Sequence, residues 1–254
     1  MNQPFKDDKN KLIFEIPFSF SKNDLDKENE EIMYKQFRAA GICFYVKNPF
    51  KIMMIKSKDK TALVTGSAGF IGYFVSQKLL EAGWNVIGVD NFSNYYDVNL
   101  KKKRNRLLEA YAKFTVLRAN IEKKDFLVSL FENEKPELVV HLAAQAGVRY
   151  SVENPRAYLE TNINGSFELL EAARKYPPKH MLIASTSSVY GGNKDIPYFE
   201  EQRTDSQMSF YAATKKSTEN MAYSYSHLFK IPITAFRFFT VYGPWGRPDM
   251  ALFK

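Results

Sequence analysis

Tyr211 and Lys215 stand four residues apart in Tyr211-Ala-Ala-Thr-Lys215. On a helix that spacing places both on one face. An ammonium beside a phenol favours the phenolate, so the pair predicts a tyrosine pKa below its usual value of about 10. Such a tyrosine can remove a hydroxyl proton while a hydride leaves the same carbon. The spacing alone is common by chance. Its weight comes from Ser185-Thr186-Ser187-Ser188, hydroxyls closing an apolar run, and from a glycine motif far upstream.

That motif is Gly66-Ser-Ala-Gly69-Phe70-Ile71-Gly72, directly after the strand-like Ala62-Leu-Val-Thr65. Gly66 suits a tight turn, Gly69 admits a close pyrophosphate, and Gly72 lets the following helix pack tightly. The N-terminus of that helix offers free amides to phosphate. The next strand pattern ends in Val89-Asp90-Asn91. A carboxylate there accepts from an adenosine 2′-hydroxyl and repels a 2′-phosphate, which favours NAD over NADP.

The elements that must position these groups alternate. Apolar runs cover residues 61–65, 85–89, 114–117, 138–142, 180–184 and 233–238, with helical patterns over 70–81, 99–113, 123–132, 155–175 and 210–229. Short, continuously apolar strands between helices predict a parallel sheet buried on both faces, a doubly wound, Rossmann-like α/β fold. Such sheets present ligands at the carboxyl ends of their strands, where Thr186 and the glycine motif fall. The basic run Lys101-Lys-Lys-Arg104 reads as the solvated face of its helix. Residues 1–58 read differently, with charged clusters, aromatic patches and one short helical pattern over 30–39. They are expected to form an N-terminal extension of unassigned role, with 59–254 as the dinucleotide-binding unit and a natural start near Met53 or Met54.

Composition narrows the classes. Thirty-six Lys and Arg against 28 Asp and Glu give a formal charge of +8. The cations are scattered, so a nucleic-acid surface is not expected. Cys43 is the single cysteine, and the histidines (141, 180 and 227) are far apart in sequence, which argues against a disulfide or a metal site. No apolar run is long enough for a membrane span, and the first residues lack a signal-peptide core. A cytoplasmic protein without a membrane partner is the expectation.

The motifs together resemble the extended short-chain dehydrogenase/reductase family, and within it the NAD-dependent nucleotide-sugar 4-epimerases. The matching pieces run from Thr65-Gly-Ser-Ala-Gly-Phe-Ile-Gly72 through His141-Leu-Ala-Ala-Gln145, Asn162-Ile-Asn-Gly165 and Tyr211-Ala-Ala-Thr-Lys215 to Arg237-Phe-Phe-Thr-Val-Tyr-Gly-Pro244. Asn94-Tyr-Tyr-Asp97, Ala146-Gly-Val-Arg-Tyr-Ser151 and Gly243-Pro-Trp-Gly-Arg-Pro-Asp-Met250 look closest to UDP-glucuronate 4-epimerases. The resemblance implies Thr186, Tyr211 and Lys215 as the catalytic set. It implies that Leu142, Ala143, Ala144 and Phe238 line the cofactor beside the glycine motif, Asp90 and Asn91, and that Asn162 supports the site. For the sugar end, Ser187, Ser188 and Thr240 offer hydroxyls, and Arg149 and Arg247 are the candidate cations. One departure is Asn120, where relatives carry an acidic residue against the adenine. The resemblance implies a homodimer through the two long helical stretches. It also implies a C-terminal substrate domain that is largely missing, leaving a non-catalytic NAD-binding module as an alternative. Dehydratase or decarboxylase chemistry ranks lower, because Ser187 and Ser188 stand where dehydratases carry an acid.

Overall fold

The computed structural model describes residues 60–249, together with Phe5–Lys6 (β1) and Leu12–Ile13 (β2), which pair antiparallel. The extension over 1–58, its boundary and the helix expected over 30–39 otherwise lie outside the described residues.

Six parallel strands form the main sheet: β3 (Thr61–Thr65), β4 (Asn85–Asp90), β5 (Phe114–Arg118), β6 (Leu138–His141), β7 (His180–Thr186) and β8 (Ile233–Phe238). Their order is β5-β4-β3-β6-β7-β8. Helices α1 (Phe70–Glu81), α2 (Val98–Glu109), α3 (Phe126–Glu134), α4 (Tyr150–Glu153), α5 (Pro155–Tyr158), α6 (Gly165–Lys175) and α7 (Phe210–Phe229) connect them. Successive strand residues point to opposite faces. Leu63 and Val139 accordingly join a core with Leu127 and Phe131 of α3, Leu169 and Leu170 of α6 and Ala222 of α7. Their neighbours Val64 and Val140 join a second core with Tyr73 and Leu80 of α1 and Leu108 of α2. The sheet is thus covered on both sides, the doubly wound arrangement expected from its uninterrupted apolar runs.

Strand order reverses between β3 and β6, so the turn after β3 and the loop after β6 part there and leave a crevice. Two expectations need correction. The helix read over 155–175 is broken: α5 passes into a wider π turn, Leu159–Asn164, before α6 begins. The basic run on α2 is not a solvated face. Lys102 and Lys103 are exposed, but Lys101 is 6% and Arg104 0% exposed. The apolar residues of α2 are too few to fill its inner face, and these long cations turn inward to polar acceptors instead. No helix among the described residues is long and apolar enough to cross a membrane.

Candidate functional site

A cleft of about 460 Å³ opens at the carboxyl ends of β3, β4, β6, β7 and β8. At one end lies the glycine turn. Gly66 adopts φ +74°, and a Cβ there would come within 2.8 Å of the Ala143 backbone nitrogen. A Cβ on Gly72 would meet the Gly66 carbonyl oxygen, so the turn and the first coil of α1 fit only without side chains. Gly69 caps α1 and has no side chain to accept from its first amides. Gly69, Phe70 and Ile71 line the cleft.

Asp90 ends β4 beside this turn. Its carboxylate accepts from the amides of Ala68 (3.0 Å) and Phe92 (2.8 Å). Burial outweighs those bonds and the nearby Lys101 and Arg104, raising its pKa. Asn91 also lines the cleft and accepts from the Ser93 amide at 2.9 Å. On the facing wall, Leu142, Ala143 and Ala144 follow β6. The amides of Leu142 and Ala143 both donate to the Thr65 hydroxyl at 3.2 Å, which itself bonds His141 Nδ1 at 2.7 Å. His141 Nε2 lies 3.1 Å from Ser166, and burial holds this histidine neutral, its pKa lowered to about 3. A strand-end threonine and a buried imidazole thus fix the loop that faces the glycine turn.

The other end of the cleft holds Thr186, Ser187, Ser188, Tyr211, Lys215, Phe238 and Thr240. Ser209 caps α7 by accepting from the Ala212 amide at 3.1 Å, so the helix starts just before Tyr211. Thr186 accepts from the Ser188 amide at 3.2 Å and lies at the same end of the cleft as the Tyr211 phenol. The phenol pKa does not fall as the sequence spacing predicts. Burial raises it, and the opposing pulls come from Thr186 and Arg247 rather than Lys215. Lys215 is itself fully buried, its pKa lowered to about 8 by desolvation against the upward pull of Glu219. Glu219 accepts from Ser185 (2.6 Å) and from Arg237 (2.9 and 3.0 Å), binding α7 to the ends of β7 and β8.

Two expected site residues lie off the cleft lining. Arg149 is exposed at the start of α4, beyond the sharp turn at Gly147 (φ +108°). Asn162 is buried in the π turn, where it acts on the frame. It accepts from the Gln145 amide (2.8 Å) and donates to the Gln145 carbonyl and the Thr214 hydroxyl, both at 3.0 Å. Arg247 does line the cleft, but Asp249 holds it at 2.5 Å, and it lies over the rings of Tyr95 and Tyr96. Sequence reasoning passed over Lys101, Tyr95, Tyr96 and Asp249, which all line the cleft. The Asn94-Tyr-Tyr-Asp97 and Gly243–Met250 matches were the signals that pointed towards that wall. Among the described residues no three His, Cys, Asp or Glu side chains gather as a metal would require.

Residues 63–251 match the protein family described as GDP-mannose 4,6 dehydratase. A probable UDP-glucuronate 4-epimerase of Rhizobium meliloti is 54% identical over 192 residues, 76% of this chain and 56% of that protein. UDP-glucuronate 4-epimerase 2 of Arabidopsis thaliana is 49% identical over 194 residues, 76% of this chain and 44% of that protein. The chain therefore spans about half the length of these curated relatives. Among solved structures, the Bacillus cereus UDP-glucuronic acid 4-epimerase in complex with UDP-glucuronic acid and NAD is similar with a TM-score of 0.70 at 37% identity, covering 76% of this chain and 60% of that one. The Thermotoga maritima UDP-glucose 4-epimerase with UDP-glucose gives 0.66 at 36% identity, covering 75% and 59%.

Proposed function

The chain belongs to the GDP-mannose 4,6 dehydratase family, and from that premise we propose that its cleft binds NAD and that it epimerises C4 of a UDP-sugar in the cytoplasm, interconverting UDP-glucuronate and UDP-galacturonate. The observation that carries this reading is one cleft with a side-chain-free phosphate turn and Asp90 at one end and the Thr186–Tyr211–Lys215 set at the other. The residues fit a dinucleotide. The uncapped start of α1 and the missing Cβ atoms at Gly66 and Gly69 leave room and amides for a diphosphate. Asp90, fixed by two amides, suits a ribose hydroxyl.

Bound NAD would supply the acceptor and later the donor of the C4 hydride. Tyr211 takes the proton of the 4-hydroxyl, leaving a 4-keto sugar, and returns a proton after the sugar has turned over. Thr186 donates its single hydroxyl proton to O4, and Thr186 and Arg247 lower the cost of the phenolate. Lys215, anchored beside Glu219, holds the adjoining ribose and adds positive charge at this end of the cleft. Arg247, Thr240, Ser187 and Ser188 recognise the uronate carboxylate, with Asp249 as the internal carboxylate that it competes against. The family's dehydratase chemistry needs an acid to expel the 6-hydroxyl. Serines follow Thr186, and Glu219 behind them is engaged by Ser185 and Arg237. We further assign a homodimer formed through α6 and α7, which expose Phe167, Tyr223 and Leu228.

Incubation of the purified chain with UDP-glucuronate, followed by NMR of the sugar, tests this reading. UDP-galacturonate is expected, and Tyr211→Phe should slow its formation by about 100-fold or more. A 4-keto-6-deoxy product would refute the epimerase assignment, and retained NAD with no product would assign binding without turnover.

A further inference from the structure

Arg104 is fully buried, yet every acceptor it reaches is neutral. Its guanidinium donates to the Ala68 carbonyl in the glycine turn (3.1 Å) and to the Tyr96 hydroxyl after β4 (2.7 Å). It also donates to the carbonyls of Trp245 (3.1 and 2.5 Å) and Gly246 (3.3 Å), two and one residues before Arg247. One side chain on α2 therefore holds three segments that are distant in sequence. Burying a cation whose hydrogen-bond acceptors are all neutral, with Asp90 as a nearby charge only, is costly, and removing its partners more so. The cost is understandable where an anion arrives with the ligand. Lys101 and Arg247 share this electrostatic neighbourhood with Asp90 and Asp249, so three cations face two carboxylates.

We propose that Arg104 is a positioning residue of the dinucleotide site: it ties the phosphate-cradling turn to the Trp245–Gly246 turn that carries Arg247, and a bound diphosphate balances its buried charge. The inference rests on the cleft being a dinucleotide site. Ordering of the sugar-end cation then depends on the same guanidinium that shapes the phosphate turn. Arginine is required because one planar fork can serve several acceptors at once, whereas an ammonium is a single point.

The test compares wild type, Arg104→Met and Arg104→Lys in a Trp84→Phe background, where Trp245 is the remaining tryptophan. NAD and adenosine are titrated into each, and Trp245 emission is recorded. Arg104→Met should lose about tenfold or more in NAD affinity, the scale of a charge-assisted contact, while its adenosine affinity stays unchanged. Arg104→Lys should keep most of the NAD affinity but shift Trp245 emission to the red, because its ammonium cannot hold both turns. Wild-type NAD affinity in a folded Arg104→Met, or equal losses for NAD and adenosine, would overturn the proposal. If Arg104→Met does not fold, Arg104→Lys decides alone: a red shift supports the tie, and unchanged emission refutes it. A wild-type chain that does not bind NAD would sink the reading of the cleft and this inference with it. Wild-type binding with indifferent variants would sink this inference only.

Discussion

Burial sets the protonation states around the cleft. His141 has a folded pKa of about 3 against 6.5 in the free side chain. The unfolded chain therefore binds the extra proton first as pH falls. The stability contributed by the neutral imidazole is complete above pH 6.5 and is lost as pH drops towards 3. Thermal melts between those limits should show a steeper pH dependence in wild type than in His141→Gln; parallel curves would refute the assignment. The types and spacing of Tyr211, Lys215 and Asp90, with the family resemblance singling out Thr186 among the strand-end hydroxyls, pointed to this cleft in the sequence. The direction of the Tyr211 shift was not legible there, because it depends on burial by residues far along the chain. Arg247 and Thr186 act on the phenol, and Glu219 on Lys215. The same reason hid Arg104. A lysine–arginine run reads as solvated until its acceptors, as many as 142 residues away, are known.

Among the elements, the central strands β3, β4 and β6 were the easiest to read, since burial on both faces writes them as nearly unbroken apolar runs, whereas the edge strands β5 and β8 carry exposed residues. Helix α1 was equally clear, with the predicted and observed limits both Phe70–Glu81. The π turn was not. Its geometry is set by Asn162 reaching Gln145, 17 residues away, and Thr214, 52 residues away, contacts that helical periodicity does not encode. Thr218 adds a bond to the Asn162 carbonyl at 3.2 Å. Irregular turns of this kind recur at functional sites, and here the irregularity joins the loop after β6 to the helix bearing Tyr211. Asn162→Ala leaves the Gln145 amide and carbonyl without this side-chain partner, at a cost of about 1–3 kcal/mol. Urea titration should register that loss, and an unchanged midpoint would remove Asn162 from the frame.

At the scale of the whole molecule, α6 and α7 leave Phe167 44%, Tyr223 76% and Leu228 65% exposed. Light scattering should give twice the monomer mass, and Leu228→Glu should reduce it to the monomer without altering NAD affinity; a monomeric wild type would refute the proposed dimer. A different consequence follows from the strand order. β3 lies between β4 and β6, and Thr65 meets His141 across 76 residues. The two walls of the cleft therefore come from segments that leave the ribosome far apart in time. A nascent chain that has packed β3, β4 and β5 has its glycine turn but no opposite wall. It has no receptor for a dinucleotide until β6 docks, so ligand capture must wait for that second segment and then holds the two walls together.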